Sequence, residues 1–457
     1  MAVTLIAARF LAPTTFGVFA IASALVALLR TLLYAGPYEY LIRAKEDAQH
    51  AWECLCLGVL LAAGLGAVYI AVAPLSSAVF GGPAVGQLLV AMAPSNLIAA
   101  FAAWQESRLL RQRRLNTYYI VLFMAELIAT GSTILLLFLK AGLGALVVQV
   151  YARVLVLALI YTVLVGLPSL RPPSMSAVRG VFGWSIPRYG AVTTGFLGQY
   201  GSDFILGSLL SPAASGLYRA SSRIVTAISD MFVNPAQMLA MAHFSARASR
   251  DEPADDLWPK VFTAFAFIGL PALAGLAVLS KFLVPLVLGE RWAAAAPIVA
   301  IICVTRANGF LTSILNPLLV AYDRRRPVLV IQVLSTIGTL AGVVLASGYG
   351  VVAAAISTAC ITWAASLPLL VYTFRTFPNS REGALRAIPA VLLPVAVTAG
   401  AALAGEKLAT GAIHSPLALA AAGVAAGIAA WLLASLVLKT RIQAALGSLT
   451  PGTIASG

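Results

Sequence analysis

One motif occurs twice in this chain, as Leu11-Ala12-Pro13-Thr14-Thr15-Phe16-Gly17-Val18-Phe19 and as Leu210-Ser211-Pro212-Ala213-Ala214-Ser215-Gly216-Leu217-Tyr218, 199 residues apart. Both copies have the pattern Pro-x-x-x-Gly followed by an apolar and an aromatic residue. Proline is well tolerated in the first turn of a helix, and glycine lets a helix approach a neighbour closely. The motif therefore predicts that a closely packed helix begins at each copy.

A second pair of similar stretches follows the motif in each half of the chain, in the same order. At an offset of 212 residues it pairs Asn96 with Asn308 and Arg113-Arg114 with Arg325-Arg326. Two such pairs in one order indicate an internal duplication. Six predicted spans separate equivalent points, so both halves have the same orientation, and the chain is predicted to form two six-helix lobes related by a pseudo-two-fold axis along the membrane normal. Parallel repeats of this kind are typical of alternating-access transporters, which bind substrate at the repeat interface.

The composition is that of a membrane protein. Of the 457 residues, 61% are hydrophobic and 10% are charged, and the mean hydropathy is +0.95. Soluble domains are roughly half apolar and about a quarter charged. Apolar runs near 20 residues recur along the whole chain, and a helix needs about 20 such residues to cross a bilayer. These values exclude a soluble enzyme, a disordered chain and a disulfide-stapled secreted module, and they predict an all-α polytopic membrane protein.

The apolar runs predict about 14 transmembrane helices, thirteen of them full spans. A fragment covers 2–12, and the spans cover 17–35, 52–73, 86–106, 117–139, 143–166, 180–210, 213–238, 259–288, 293–320, 327–346, 350–374, 387–404 and 417–438. The fragment reaches only about 18 Å, so the first helix is predicted to be truncated. The predicted domains are an N-terminal lobe over 1–175 with an incomplete first helix, a C-terminal lobe over 176–380, and two additional helices with a short cytoplasmic tail over 381–457.

Basic residues in the loops predict the orientation. If the loop after 17–35 is cytoplasmic, strict alternation places 19 Lys and Arg on that side and 5 on the other. Positive charge collects on cytoplasmic loops, so the C-terminus is predicted to be cytoplasmic. Because most of the basic residues lie in these short loops, the net charge of +14 is read as a topology signal, and no nucleic-acid partner is expected.

The two motifs resemble the signature of the bacterial polysaccharide transporters. These are Wzx-like oligosaccharide flippases of the multidrug/oligosaccharidyl-lipid/polysaccharide exporter superfamily, and the matching residues are Pro13, Gly17, Pro212, Gly216 and Tyr218. The resemblance covers nearly the whole chain, including the two additional C-terminal helices. The truncated first helix departs from the family pattern.

The resemblance implies a transporter and not an enzyme. Its cargo would be a polyprenyl-linked oligosaccharide, moved from the inner to the outer leaflet of the bacterial cytoplasmic membrane for lipopolysaccharide or exopolysaccharide synthesis. It implies no metal or nucleotide cofactor. The implied partners are the lipid-linked oligosaccharide, membrane lipid, and the polysaccharide polymerase and glycosyltransferases of the same route.

Charged residues inside the predicted spans are candidate site residues, because each costs at least about 2.5–3.5 kcal/mol at mid-bilayer. The predicted substrate-binding residues are Arg30, Arg188, Arg219, Arg223 and Arg306. Arginine binds phosphate through a planar fork and does not deprotonate at working pH, so this set predicts a cationic cavity for a diphosphate.

Two aspartates, Asp203 and Asp230, are the predicted ion-coupling groups. Within 213–238 one helical face is polar, through Arg219, Ser222, Arg223, Thr226, Asp230 and Asn234. A lipid-facing helix would not carry such a stripe.

Structural alternatives remain open at each charged position. Arg219 and Arg30 could be interfacial anchors that snorkel, and Arg30 could instead pair with Asp230. Arg306 could form a structural ion pair. Glu126 and Arg153 are expected to pair within the first lobe.

Other functions also remain open. A multidrug or ion antiporter of the same superfamily would need about twelve spans and acidic cavity residues. A membrane glycan ligase or polymerase would carry a long outer loop with catalytic groups.

Overall fold

The computed structural model describes residues 2–43, 48–168, 172–410 and 416–437. Within those ranges the helices are α1 Ala2–Phe10, α2 Pro13–Leu33, α3 Glu39–Arg43, α4 Ala48–Val72, α5 Ser76–Phe80, α6 Ala84–Met92, α7 Ser95–Arg111, α8 Leu115–Phe138, α9 Leu143–Val165, α10 Met175–Leu209, α11 Pro212–Ala248, α12 Leu257–Leu288, α13 Ala296–Ala321, α14 Arg325–Ser347, α15 Val351–Thr376, α16 Ser380–Thr410 and α17 Pro416–Val437. A π-helical turn, Tyr34–Tyr38, joins α2 to α3, and 3-10 turns lie at Ala73–Leu75 and Glu290–Ala295.

The membrane-spanning prediction is confirmed. Eleven helical stretches in the described part of the chain are long and apolar enough to cross a membrane. The two further long helices are α10 and α11, with 35 and 37 residues. Their polar and charged side chains lower their hydropathy below that of the other spans. Together they make thirteen long segments, which is the number predicted. The predicted cytoplasmic tail and the basic residues Lys45, Arg171, Lys439 and Arg441 lie outside the described residues.

The predicted span 17–35 extends further than the sequence indicated. Gly36-Pro37 has the composition of a helix end, but the chain continues through the π turn into α3, so the membrane-spanning stretch is Pro13–Arg43. Gly36 takes the non-helical angles φ −103° and ψ −105°. This places Glu39 inside a span instead of in a loop.

Residues 2–219 form one compact unit. Its central helix is α2, which packs against α6, α7 and α10 and buries Ile21 and Leu29 completely. α7 packs against α4 and α9, and α8 packs against α9. Trp104 on α7 donates its indole N–H to the Ala51 carbonyl oxygen on α4 over 2.6 Å. α10, which carries Arg188 and Asp203, thus packs against α2, which carries Arg30.

The described residues of 220–437 form the second compact unit. α12 packs against α13 and α16, and α16 packs against α17. The Trp431 indole on α17 donates to the Phe267 carbonyl oxygen on α12 over 3.1 Å. A buried cluster around Phe244, Trp258 and Leu315 closes one end of this unit. The predicted domain limits at 175/176 and 380/381 concern lobes that act in transport, and they stay a prediction.

The internal repeat is visible in two turns. The turn between α7 and α8 has Arg113 at φ 57°, and the turn between α13 and α14 has Asp323 at φ 57°. In each turn the next amide, that of Arg114 or Arg324, bonds to the carbonyl oxygen five residues earlier. These two turns lie 210 residues apart, and the predicted pairing of Arg113 with Arg325 at offset 212 stays a prediction.

The two Pro-x-x-x-Gly motifs pack against each other. A Cβ atom built on Gly17 would lie 1.7 Å from the Pro212 carbonyl oxygen, and one on Gly216 would lie 2.2 Å from the Pro13 carbonyl oxygen. The sequence predicted a close neighbour for each glycine. The structure identifies that neighbour as the other copy of the motif, so each glycine makes room for the first turn of the opposite helix.

Asp256 directly precedes α12 and pairs with two basic side chains. Arg247 donates to its Oδ1 over 2.7 Å and Lys260 to its Oδ2 over 3.1 Å. Burial raises the pKa of Asp256, but these two partners outweigh it and lower the pKa below the usual 3.8. The resulting stabilisation is present above about pH 4 and is lost as the pH falls through the folded-state pKa. We expect Asp256→Asn to lower the thermal unfolding midpoint slightly at pH 7 and to leave it unchanged at strongly acidic pH, where a persistent difference would contradict this account.

Candidate substrate-binding site

Arg30 is an uncompensated cation inside a membrane span. Its Nε and Nη2 atoms are enclosed, and neither has a hydrogen-bond partner among the described residues. The side chains that act on it electrostatically are Arg153, Tyr34 and Tyr200, none of which carries a negative charge at neutral pH. A buried guanidinium without a partner is costly in any protein. Arg30 therefore has the properties of a group that awaits an anion.

Arg219 and Asp203 form a buried ion pair. Arg219 Nη1 lies 3.1 Å from Asp203 Oδ2, and the side chains are 10% and 2% exposed. The guanidinium also stacks 4.4 Å from the centre of the Tyr200 ring. The sequence assigned the two residues separate roles, in substrate binding and in ion coupling. The structure brings them together, so each neutralises the other, and their predicted roles stay predictions.

We expect Asp203→Asn to destabilise the protein strongly. The substitution leaves Arg219 buried and unpaired, a change that costs about 3 kcal/mol or more. The measurement is the thermal unfolding midpoint of the full chain in detergent. The double variant Asp203→Asn, Arg219→Gln removes both charges and should regain much of the loss. A double variant no more stable than the single one would contradict the pairing.

Arg188 on α10 pairs with Glu39 on α3. Arg188 donates Nε to Glu39 Oε2 over 2.7 Å and Nη2 to Oε1, and its guanidinium stacks 4.7 Å from the Trp184 ring centre. Glu39 also accepts a contact from Arg43 at 2.9 Å. Glu39 was missed because the predicted span ended at residue 35. A predicted span that continued past Gly36-Pro37 would have included Glu39.

Glu126 and Arg153 pair as expected. Arg153 Nε lies 3.4 Å from Glu126 Oε2, with both side chains nearly half exposed. Of the four arginines predicted inside spans of the first unit, Arg153, Arg188 and Arg219 have a carboxylate partner. Arg30 has none among the described residues.

In the second unit, Arg306 on α13 donates to the Thr226 hydroxyl on α11 over 2.7 Å. Thr226 belongs to the predicted polar stripe of α11, which also carries the half-buried Arg223 and Asp230. The bond places Arg306 against that stripe. The predicted pairing of Arg30 with Asp230 stays a prediction.

Glu106 on α7 is a second carboxylate that the sequence did not single out. It is 2% exposed. Tyr34 donates to its Oε2 over 2.8 Å and Tyr38 to its Oε1 over 3.1 Å. Glu106 is the last residue of the predicted span 86–106 and was not among the predicted site residues.

The second unit also contains an apolar cavity of about 320 Å³. It lies among α11, α12, α16 and α17, and its lining includes Leu276, Leu279, Ala402, Gly427 and Trp431. Apart from the Thr398 hydroxyl, the side chains that line it are apolar, so it suits a hydrocarbon chain.

Comparison with known proteins gives the family. A family model described as "Polysaccharide biosynthesis protein" matches residues 6–297. The lipopolysaccharide biosynthesis protein WzxC of Escherichia coli (strain K12) is 30% identical over 120 residues, which is 26% of this chain and 23% of that protein.

Two solved structures give the fold. The lipid II flippase MurJ, in an inward closed conformation, matches with a TM-score of 0.74 at 12% identity, over 96% of this chain and 97% of that chain. An inward-facing multidrug resistance MATE family transporter of the MOP superfamily matches with a TM-score of 0.63 at 14% identity, over 83% and 94%. Both folds are transporter folds and not enzyme folds. With more than half of its length matched by the family model, the chain belongs to the polysaccharide biosynthesis protein family and has the membrane transporter fold of these flippase and multidrug transporter structures.

Proposed function

We propose that this protein flips a polyprenyl-diphosphate-linked oligosaccharide from the inner to the outer leaflet of the bacterial cytoplasmic membrane, by alternating access. One observation carries the proposal: Arg30 is held inside a span with two enclosed nitrogens that have no partner among the described residues. The hydrated, anionic head of such a lipid cannot cross hydrocarbon unaided. A diphosphate would supply the acceptor oxygens that Arg30 lacks.

The remaining arginines also support a cationic path, and they differ in how strongly each would bind an anion. Arg188 and Arg219 each face a carboxylate, so they bind an anion less strongly than Arg30. Arg306 donates to the neutral Thr226 hydroxyl. It forms no ion pair among the described residues, so its charge is available to a ligand. Arg223, on the polar stripe of α11 that includes Thr226, is the other predicted binding residue of the second unit.

The apolar cavity of the second unit supports the proposal that the cargo carries a lipid tail. Its 320 Å³ holds a segment of an isoprenoid chain, while the rest of the tail stays in the bilayer. The two additional C-terminal helices, α16 and α17, form much of its wall.

The cell context follows from the same proposal. The excess of basic residues in the loops of one side supports a cytoplasmic C-terminus. Glycosyltransferases would supply the lipid-linked oligosaccharide, and a polysaccharide polymerase would consume it. Moving a diphosphate out of a negative interior is favoured by about 2.3 kcal/mol per charge for each 100 mV. Asp203 and Asp230 stay the predicted coupling groups for a proton or Na⁺.

A deletion strain tests the function. Lipid-linked glycans are extracted, and their leaflet is assigned by labelling intact cells and permeabilised cells. We expect a completed glycan to accumulate on the cytoplasmic leaflet and to return to the outer leaflet when the wild-type gene is supplied. Normal amounts already on the outer leaflet of the deletion strain would rule out the flippase.

A further inference from the structure

The carboxylate of Glu106 is enclosed by tyrosine hydroxyls. Tyr34 and Tyr38 donate to its two oxygens, and Tyr118 on α8 contributes a third hydroxyl. We call these four side chains the tyrosine cage. An ionised carboxylate accepts hydrogen bonds and donates none, so the hydroxyls turn their hydrogens toward it. The proposed flipping path gives this buried acid no role.

The bonds of the tyrosine cage stabilise the π turn between α2 and α3. Tyr34 and Tyr38 are the first and last residues of that turn, which contains Gly36 and Pro37. Proline removes one backbone donor, and π turns are recurrent sites of helix bending. On the other side, Gly36 lies so close to α10 that a Cβ atom would sit 2.3 Å from the Tyr189 hydroxyl oxygen. The turn is therefore a bend whose shape depends on the bonds to Glu106.

One member of the cage, Tyr34, lies at the surface of the unit. Glu106 is 2% exposed, whereas Tyr34 is 40% exposed. The Tyr34 hydroxyl therefore connects the surface of the unit to the enclosed carboxylate. A hydroxyl both donates and accepts, so it can pass a proton inward by releasing its own and taking another.

We propose that Glu106 is a proton-binding site that opens and closes the π turn. A hydronium ion gives its proton to one carboxylate oxygen and leaves water behind. The new carboxylic O–H is itself a donor, so the tyrosine hydroxyl that donated to that oxygen must rotate or lose its bond. Protonation removes the charge that strengthens the bonds of the cage, so these bonds weaken and the turn relaxes. A metal cation does not suit the site, because the hydroxyl hydrogens occupy the positions that face the carboxylate.

The charged and titratable groups around Glu106 are accounted for on each packed element. Arg153 and Tyr161 act on it from α9, and Arg153 is already paired with Glu126. On α3, Glu39 is paired with Arg43 and with Arg188. On α4, Glu53 is buried. Glu106 forms no salt bridge among the described residues, so its burial and the tyrosine hydroxyls govern its charge.

Release of the turn would reach α10 through α3. Glu39 is the first residue of α3 and is bonded to Arg188 on α10. A change in the bend moves Glu39, and Arg188 with it. The proposed effect of Glu106 protonation on the π turn rests on the proposed function only for its purpose, which is to couple cargo movement to proton binding.

Infrared difference spectroscopy on the full chain in lipid vesicles tests the protonation step without any cargo. We expect a protonated-carboxyl band that grows as the pH falls, is absent from Glu106→Gln, and remains in the matched control Glu126→Gln. Tyr38→Phe removes one donor to the charged form, so the midpoint of this band should move to higher pH by about one unit. A band that persists in Glu106→Gln, or a midpoint unmoved in Tyr38→Phe, overturns the proposal.

Hydrogen exchange of residues 34–43 tests the bend. After correction for the intrinsic pH dependence of exchange, the wild-type segment should exchange faster on the acid side of the infrared midpoint. Glu106→Gln, which is neutral at every pH, should show the fast exchange throughout, and Glu126→Gln should behave as wild type. Equal protection of the segment on both sides of the midpoint overturns the proposal. Since both readouts are independent of cargo, their failure leaves the flippase proposal standing, and a normal leaflet distribution in the deletion strain leaves the proposal for Glu106 standing.

Discussion

Gly17→Ala is expected to abolish accumulation of the folded protein in the membrane. The added Cβ would lie 1.7 Å from the Pro212 carbonyl oxygen and 2.6 Å from its carbonyl carbon. Both are backbone atoms that no rotamer change can move. Overpacking usually costs about 1–3 kcal/mol when side chains can adjust, and here the starts of α2 and α11 must separate instead. The measurement is the amount of monodisperse full-length protein extracted from membranes.

The crossing is reciprocal, which provides an internal check. Gly216→Ala should have the same defect, because its Cβ would lie 2.2 Å from the Pro13 carbonyl oxygen. Gly64→Ala on α4 is the matched control, since no atom lies within 4 Å of its Cβ position. It should be neutral or slightly stabilising, by up to about 1 kcal/mol. Normal accumulation of Gly17→Ala would show that the two motifs do not need close contact.

Arg30→Ala is expected to lower flipping roughly 10- to 100-fold without destabilising the protein. Hydrogen bonds to charged groups contribute about 1.5–3 kcal/mol each, and every 1.36 kcal/mol is a factor of ten. The enclosed nitrogens of Arg30 have no partner to lose among the described residues, so the thermal unfolding midpoint should stay level or rise. Arg30→Lys keeps the charge and loses the planar fork, so its activity should be intermediate.

The assay is the rate at which the lipid-linked glycan reaches the outer leaflet in the complemented deletion strain. The matched control is Arg386→Gln, which removes an exposed arginine paired with Glu382 at the start of α16. Its flipping rate should equal that of wild type. A stable Arg30→Ala variant with wild-type flipping would remove Arg30 from the binding path, whereas a destabilised one would show that Arg30 has a structural partner.

The contrast between Arg30 and Arg219 shows that the sequence could not predict which arginine has a carboxylate partner. Both are arginines inside long helices, and both were predicted to bind the substrate. The structure gives Arg219 a carboxylate at 3.1 Å and leaves two nitrogens of Arg30 without a partner. The partner of Arg219, Asp203, lies sixteen residues away in sequence across a helix turn. No helical periodicity links the two residues, because they belong to different helices.

The same limit explains why Glu39 and Glu106 were missed. Glu39 bonds to Arg188 on α10, and Glu106 bonds to the tyrosine hydroxyls of the π turn. In each case the partner is distant in the chain. Gly36-Pro37 also suggested a helix end, because local propensity favours termination there. Tertiary packing against α7 and α10 carries the helix through the bend instead.

The sequence by itself determined that this chain is an all-helical, multi-pass membrane protein with an internal duplication, and it located the start of each repeat. These features follow from hydrophobicity over about 20 residues and from local helix-start chemistry, which do not depend on distant contacts. Only the tertiary structure decided which charges are neutralised, where Glu106 is enclosed, and that the two Pro-x-x-x-Gly motifs pack on each other. Ion pairs, cages and helix crossings are formed between residues far apart in sequence, and packing alone brings those residues together.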